Sequence, residues 1–220
     1  MEKKCLIAKK NKLIKLCSGN INNLFVNSKF QECIPQQDIG TLFLPTGSIV
    51  ATDPFCLSET EAFQKRVPPG NYKVVLHIHH IGDDSIVAFS EIRFSENFAV
   101  SFELALTKQQ AMQHSTTPLT DTEYFGYGVD SGTGSFMDKS TCRMLETITD
   151  DSFFTQMDKI MYKSYIDTYS TVNLSLPNSN HNLVAFSSGY GDGFFPSFWG
   201  YDEKGILCNL ITDFFTIDED

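Results

Sequence analysis

The chain has 220 residues, 41% of them hydrophobic and 13% aromatic. That is enough apolar material for one large core and excludes disorder over most of the length. The net charge is −10, yet residues 1–15 carry six lysines against Glu2 alone, which leaves −15 on the rest. So acidic a body repels phosphate backbones and excludes nucleic acid as the expected partner.

Residues 1–37 read as a basic segment packed on or preceding a domain that runs from 38 to 220, its lysines on the solvated side of an edge strand or terminus. "CLIA" is too short for a signal-peptide core and is followed by Lys9, Lys10 and Lys12, so no leader is expected. Nothing approaches the ~20 apolar residues of a membrane span. Cys5, Cys17, Cys33, Cys56, Cys142 and Cys208 contain no C-x-x-C pair. They are expected to be free thiols in a reducing cytosol.

"GTLFLPTGSIVA" predicts two strands about a Pro-Thr-Gly-Ser turn. Alternation then takes over. Tyr72, Val74, Leu76 and Ile78 share a face; after "GDD", so do Ile86, Ala88, Ile92 and Phe94; Phe98, Val100, Phe102, Leu104 and Leu106 follow. The pattern predicts a three-stranded antiparallel meander with one buried face. Residues 108–123 are polar and broken by Pro118, and read as a surface loop. Helices are predicted over about 139–147 and 151–166, the first capped by Asp138, the second by Asp150 or Asp151. The last forty residues return to strands, "NLVAFSSG", "FFPSFWGYD" and "GILCNLITDFF", with Asp192-Gly193 as a hairpin signal. The fold class expected is mainly β: a single-domain antiparallel sandwich or partly open barrel with two inserted helices.

No G-x-S-x-G elbow, phosphate-cradling loop or H-E-x-x-H is present. Gly189, Gly191 and Gly193 precede no helix, so they make no dinucleotide fingerprint. His77 and His79 lie ~7 Å apart on one strand face, on what reads as the solvent side, with no evident third metal ligand. The carboxylates beside glycines and turns are Asp53, Asp130, Asp138, Asp192, Asp202 and Asp213. Loops from different strands can bring such residues together to hold a divalent cation, with Asp130 and Asp192 as the first candidates. Each also has a structural role open to it, as a helix cap or turn former. Trp199 lies on a strand with aromatic residues on both faces, which calls for burial on both sides or one aromatic binding surface.

The ordered motifs "LPTGSIVATDPF", "VPPGNY", "FELAL", "VDSGTGSFMD", "SSGYGDGFFPSFWGYDEKG" and "LITDFF" span about residues 40–215. In them the chain resembles an uncharacterised bacterial family called domain of unknown function 4241, departing from it at Phe102, where a tryptophan is expected. The resemblance implies a recurring single-domain protein and supplies no activity; its motifs include the aspartates above and Trp199. Two functions follow as expectations. The first is a soluble, cytoplasmic, acidic protein that binds a basic protein partner, as immunity proteins neutralise toxins. The second is a hydrolase or lyase using clustered loop aspartates, with or without a divalent cation, on a small molecule or nucleotide.

Overall fold

The computed structural model describes residues 7–9, 34–58, 60–117, 119–120, 123–148 and 151–217. Two antiparallel sheets face each other. The larger has the order β2(Gln36–Leu44)-β4(Gly70–Ile81)-β5(Asp84–Arg93)-β14(Leu207–Asp213)-β13(Ser197–Tyr201)-β6(Ser101–Leu104). The smaller is β10(Thr171–Ser175)-β11(Asn182–Ser187)-β9(Thr133–Asp138)-β3(Ile49–Thr52). Two short ladders complete the frame: β12(Gly193–Phe195) with β8(Tyr127–Val129), and β1(Ile7–Lys9) with β7(Glu123–Phe125). The fold is mainly β and sandwich-like, as the alternation predicts.

The inner faces meet in a core in which Leu42, Val74, Leu76 and Leu210 oppose Ile49, Phe136, Val184 and Phe186. Trp199 is 1% exposed within it, its ring edge-on to Phe63 at 5.9 Å. Its neighbour Phe198 is buried on the opposite face, so the strand is covered on both sides. The outer face of the small sheet buries Val50, Met137, Leu183 and Ala185 under α2(Lys139–Glu146) and α3(Ser152–Ser164). Phe153, Met157 and Met161 supply the apolar stripe of α3. Asp138 caps α2 by accepting from Ser140 N, whereas Asp151 at the start of α3 makes no side-chain cap bond.

Several local expectations need correction. Residues 108–123 are not all loop: Lys108–Thr116 form helix α1, closed by a capping box in which Thr107 and Gln110 bond each other's backbone amides. The strands from 70 to 104 form no continuous meander. β6 leaves β5 and pairs with β13 at the far edge, with β14 between them. Phe98 and Val100 are consequently exposed. Within β5 the register skips from Phe89 to Val87 opposite His77 and Ile78, a bulge that turns Ala88 away from the face of Ile92.

β2 and β3 are both strands, but they lie in different sheets, and the Pro-Thr-Gly-Ser turn carries the chain between layers. Gly47 has φ +66° there, and a Cβ on it would fall 1.8 Å from the Val67 carbonyl oxygen, so no other residue fits. The basic segment is described only at β1 and from Ile34 on; the remainder of 1–37, with Cys5, Cys17 and Cys33, lies outside the described residues. Cys56, Cys142 and Cys208 are free thiols.

Candidate functional site

The singled-out carboxylates divide by what they already hold. Asp53 is 1% exposed: its Oδ1 accepts from Phe55 N (2.9 Å) and Ser131 Oγ (2.8 Å), its Oδ2 from Asp130 N (3.0 Å) and Ser131 N (2.8 Å). It is the anchor of the "DSGTG" loop. Asp138 is fully buried and accepts from Thr46 N and Oγ1 as well as Ser140 N and Oγ. It therefore ties the "LPTG" turn to the start of α2. Asp202 accepts from Lys204 N, Ile206 N and Asn97 Nδ2 and shapes the β13–β14 hairpin. These three are spent on backbone and neighbours.

Asp213 differs. Its Oδ1 accepts from Phe215 N at 2.8 Å, while Oδ2 is buried without a partner among the described residues. Burial pushes its carboxyl up to about 7. The sign follows from linkage: a raised carboxyl pKa makes the folded state the better proton binder, so this contribution is full below about 4 and lost as pH rises through about 7. Asp213→Asn, which cannot ionise, should gain melting temperature over the parent by roughly 5 °C between pH 5 and pH 8. Thermal melts at the two pH values check this, and a constant difference would refute it.

His77 is not on a solvent face. It is 2% exposed because the outer face of the larger sheet is itself covered, with Ile34 and Ile217 packing on Phe89, Phe198 and Ile211. Its Nε2 lies 3.0 Å from Glu91 Oε2, and His79 Nδ1 lies 2.9 Å from the Thr216 carbonyl oxygen. No group of three His, Cys, Asp or Glu is placed to hold a metal among the described residues.

Asp130 and Asp192 are exposed. Their turns touch: Ser188 N donates to the Gly132 carbonyl (3.1 Å), and a Cβ on Gly132 would sit 3.6 Å from Gly191 Cα. The expected hairpin at Asp192-Gly193 is instead a corner, because β11 pairs in the small sheet and β12 pairs with β8. That corner brings the two Gly-rich loops to one end of the molecule.

At the same end lies a groove of about 460 Å³. Ser131, Gly132 and Thr133 of the "DSGTG" loop line it, with Ser170 and Ser187 beside them. Phe55, Tyr162 and Tyr165 give it aromatic walls, and Asp158 adds a carboxylate. Phe55 is braced by Phe154, ring centroids 6.2 Å apart. The wall from α3 ends in a turn where Asp167 (φ 48°) and Thr168 (φ 82°) adopt left-handed backbone. For a β-branched residue that is costly. Thr168 Oγ1 donating to Ser85 O (3.0 Å) and Ser85 N donating to Asp167 O (2.6 Å) hold the turn, which fixes Tyr165 and Ser170 on either side.

Cys56, three residues after Asp53, is exposed, and its thiol is raised by partial burial and by Asp53 and Asp130. That disfavours the thiolate and a nucleophilic role. A second polar cluster, Lys65 with Tyr201 and Glu103 (Lys65 Nζ to Glu103 Oε2 2.8 Å), packs its ammonium 5.7 Å from the Trp199 ring centroid. Burial and the hydrogen bond to Glu103 raise the Tyr201 phenol, so it is no ready base.

Phe55, Asp158, Tyr162 and Tyr165 are not among the residues that the sequence singles out as site candidates. The helical pattern marks one of them, because Tyr162 falls off the stripe of Phe153, Met157 and Met161.

The geometry defines a two-sheet β-sandwich with helices on one face and an aromatic, acidic groove at one end. A family model described as "Protein of unknown function (DUF4241)" matches residues 42–212, and the chain belongs to that family. No curated protein and no solved structure matches it.

Proposed function

We propose that the chain is an acidic binding protein that receives a basic protein partner at the groove end of the sandwich, in the manner of an immunity protein neutralising a toxin. One observation carries this reading. Asp130 and Asp192 stand exposed on touching turns beside a groove that no lysine, arginine or histidine lines among the described residues. Exposed like charges on one surface raise the local concentration of an opposite charge and speed its encounter. The hydrolase or lyase reading needs a convergence of free carboxylates, whereas Asp53, Asp138 and Asp202 are engaged by backbone amides and neighbouring side chains. Free thiols at Cys56, Cys142 and Cys208 support a cytosolic setting.

The test is calorimetric titration with a soluble peptide of Arg and Gly repeats against a Glu and Gly control. The basic peptide should bind, more weakly at high salt, and the paired change Asp130→Asn with Asp192→Asn should weaken it about tenfold while leaving the melt unchanged. Equal binding of both peptides, or an unchanged affinity in the paired variant, rejects the reading.

A further inference from the structure

The geometry points to the groove itself as a subsite for one guanidinium group, the side chain of an arginine presented by that partner; this rests on the reading above and names the chemistry of its contact. Three observations converge. First, the aromatic walls are not covered by the fold: Tyr162 is 84% exposed, Tyr165 58% and Phe55 39%. Large aromatic groups left in water beside a cavity mark a contact surface. Second, among the described residues Asp158 is the single charged one that lines the groove, and it is an anion. Third, its remaining lining is rich in hydroxyls, Ser131, Thr133, Ser170 and Ser187.

A guanidinium satisfies all three at once. It is planar and weakly hydrated, so it stacks on tyrosine and phenylalanine faces at little desolvation cost. Its five N–H donors suit a carboxylate and several hydroxyl acceptors around one plane. An ammonium offers a compact point charge and no plane to stack. An apolar side chain would use the rings and leave Asp158 unanswered. Two of the walls have an anchored base: Phe55 is braced by Phe154 and the Asp53 loop, and the backbone after Tyr165 is held by the left-handed turn at Asp167 and Thr168. A site fixed before binding loses less freedom on capturing a flexible side chain.

The probe is N-acetyl-arginine methylamide, followed by NMR through the ring resonances of Tyr162 and Tyr165. Its neutral isostere, N-acetyl-citrulline methylamide, is the control. Saturable shifts with the arginine probe are expected, weakened about fivefold or more by Asp158→Asn and by Tyr162→Ala. Both positions are exposed, so the variants should fold, and unchanged melts verify it. Citrulline binding as well as arginine, no saturable shift, or an affinity indifferent to both variants would overturn the subsite. The rim reading fails separately: it falls if the peptide ignores Asp130→Asn with Asp192→Asn, even where the arginine probe still depends on Asp158.

Discussion

Replacing Glu91 by alanine should lower the unfolding free energy by about 3–5 kcal/mol, the cost of breaking a buried charge network by removing one partner. Glu91 is 3% exposed in the middle of the larger sheet. Its Oε2 meets His77 Nε2 at 3.0 Å and accepts from Arg93 Nε at 2.9 Å, while Oε1 accepts from Asn209 Nδ2 at 2.8 Å. Arg93 reaches on to Gln36 Oε1 at 2.7 Å, so one carboxylate links β2, β4, β5 and β14. Alanine would leave a buried imidazole and amide facing a void. For a chain of this size the melting temperature should fall by about 10 °C or more.

The pH dependence of the same carboxyl is a second readout. Burial by itself would raise its pKa, but the hydrogen bonds and charges of His77 and Arg93 outweigh burial and hold it at about 2. A depressed carboxyl pKa contributes stability that is fully present above the ordinary value of 4.5 and lost as pH falls through about 2. Glu91→Gln should therefore be less stable than the parent by a constant margin above pH 5, and the margin should narrow in acid. A margin that stays flat down to pH 2 would show that Glu91 does not titrate as the network requires.

Alternation makes the strands legible, because a half-buried strand must place apolar side chains at every second position. It says nothing of which strands pair. Val100 through Leu104 alternate like their neighbours, and only the return of β13 and β14 from the other end of the chain decides that β6 joins them. His77 shows the same limit: Lys73 on its face reads as solvent-side, yet farther along the strand that face, which also carries Phe89 and Ile211, is covered by Ile34 and Ile217. The helix after Lys108 was readable, since Thr107 and Gln110 have capping-box spacing, but polar composition and Pro118 hide it. The sequence offers the loop aspartates as candidates without sorting them. Whether a carboxylate caps, clamps or stays free depends on amides far off in sequence, such as Ser131 N for Asp53 and Thr46 N for Asp138.

Asp53→Ala should be the second large loss, about 3–5 kcal/mol, because a buried carboxylate accepting several bonds is removed and its donors are left inside the protein. Phe55 N, Asp130 N, Ser131 N and Ser131 Oγ all lose their acceptor together. Ser131→Ala, which removes only one of those donors, should cost about 1 kcal/mol and serves as the measure of a single bond. The loss has a functional side that a purely structural clamp elsewhere would lack. Asp53 orients both Phe55 on one wall of the groove and the loop that carries Asp130. Asp53→Ala should thus weaken the Arg and Gly peptide at a temperature where the variant is still folded, although Asp53 is too buried to touch it. Asp138→Ala, at the far end of β9, is the matched control: it should lower the melt comparably and leave peptide affinity unchanged. Equal effects of the two on affinity would mean that Asp53 acts through global stability alone, and the groove would then not depend on the loop it anchors.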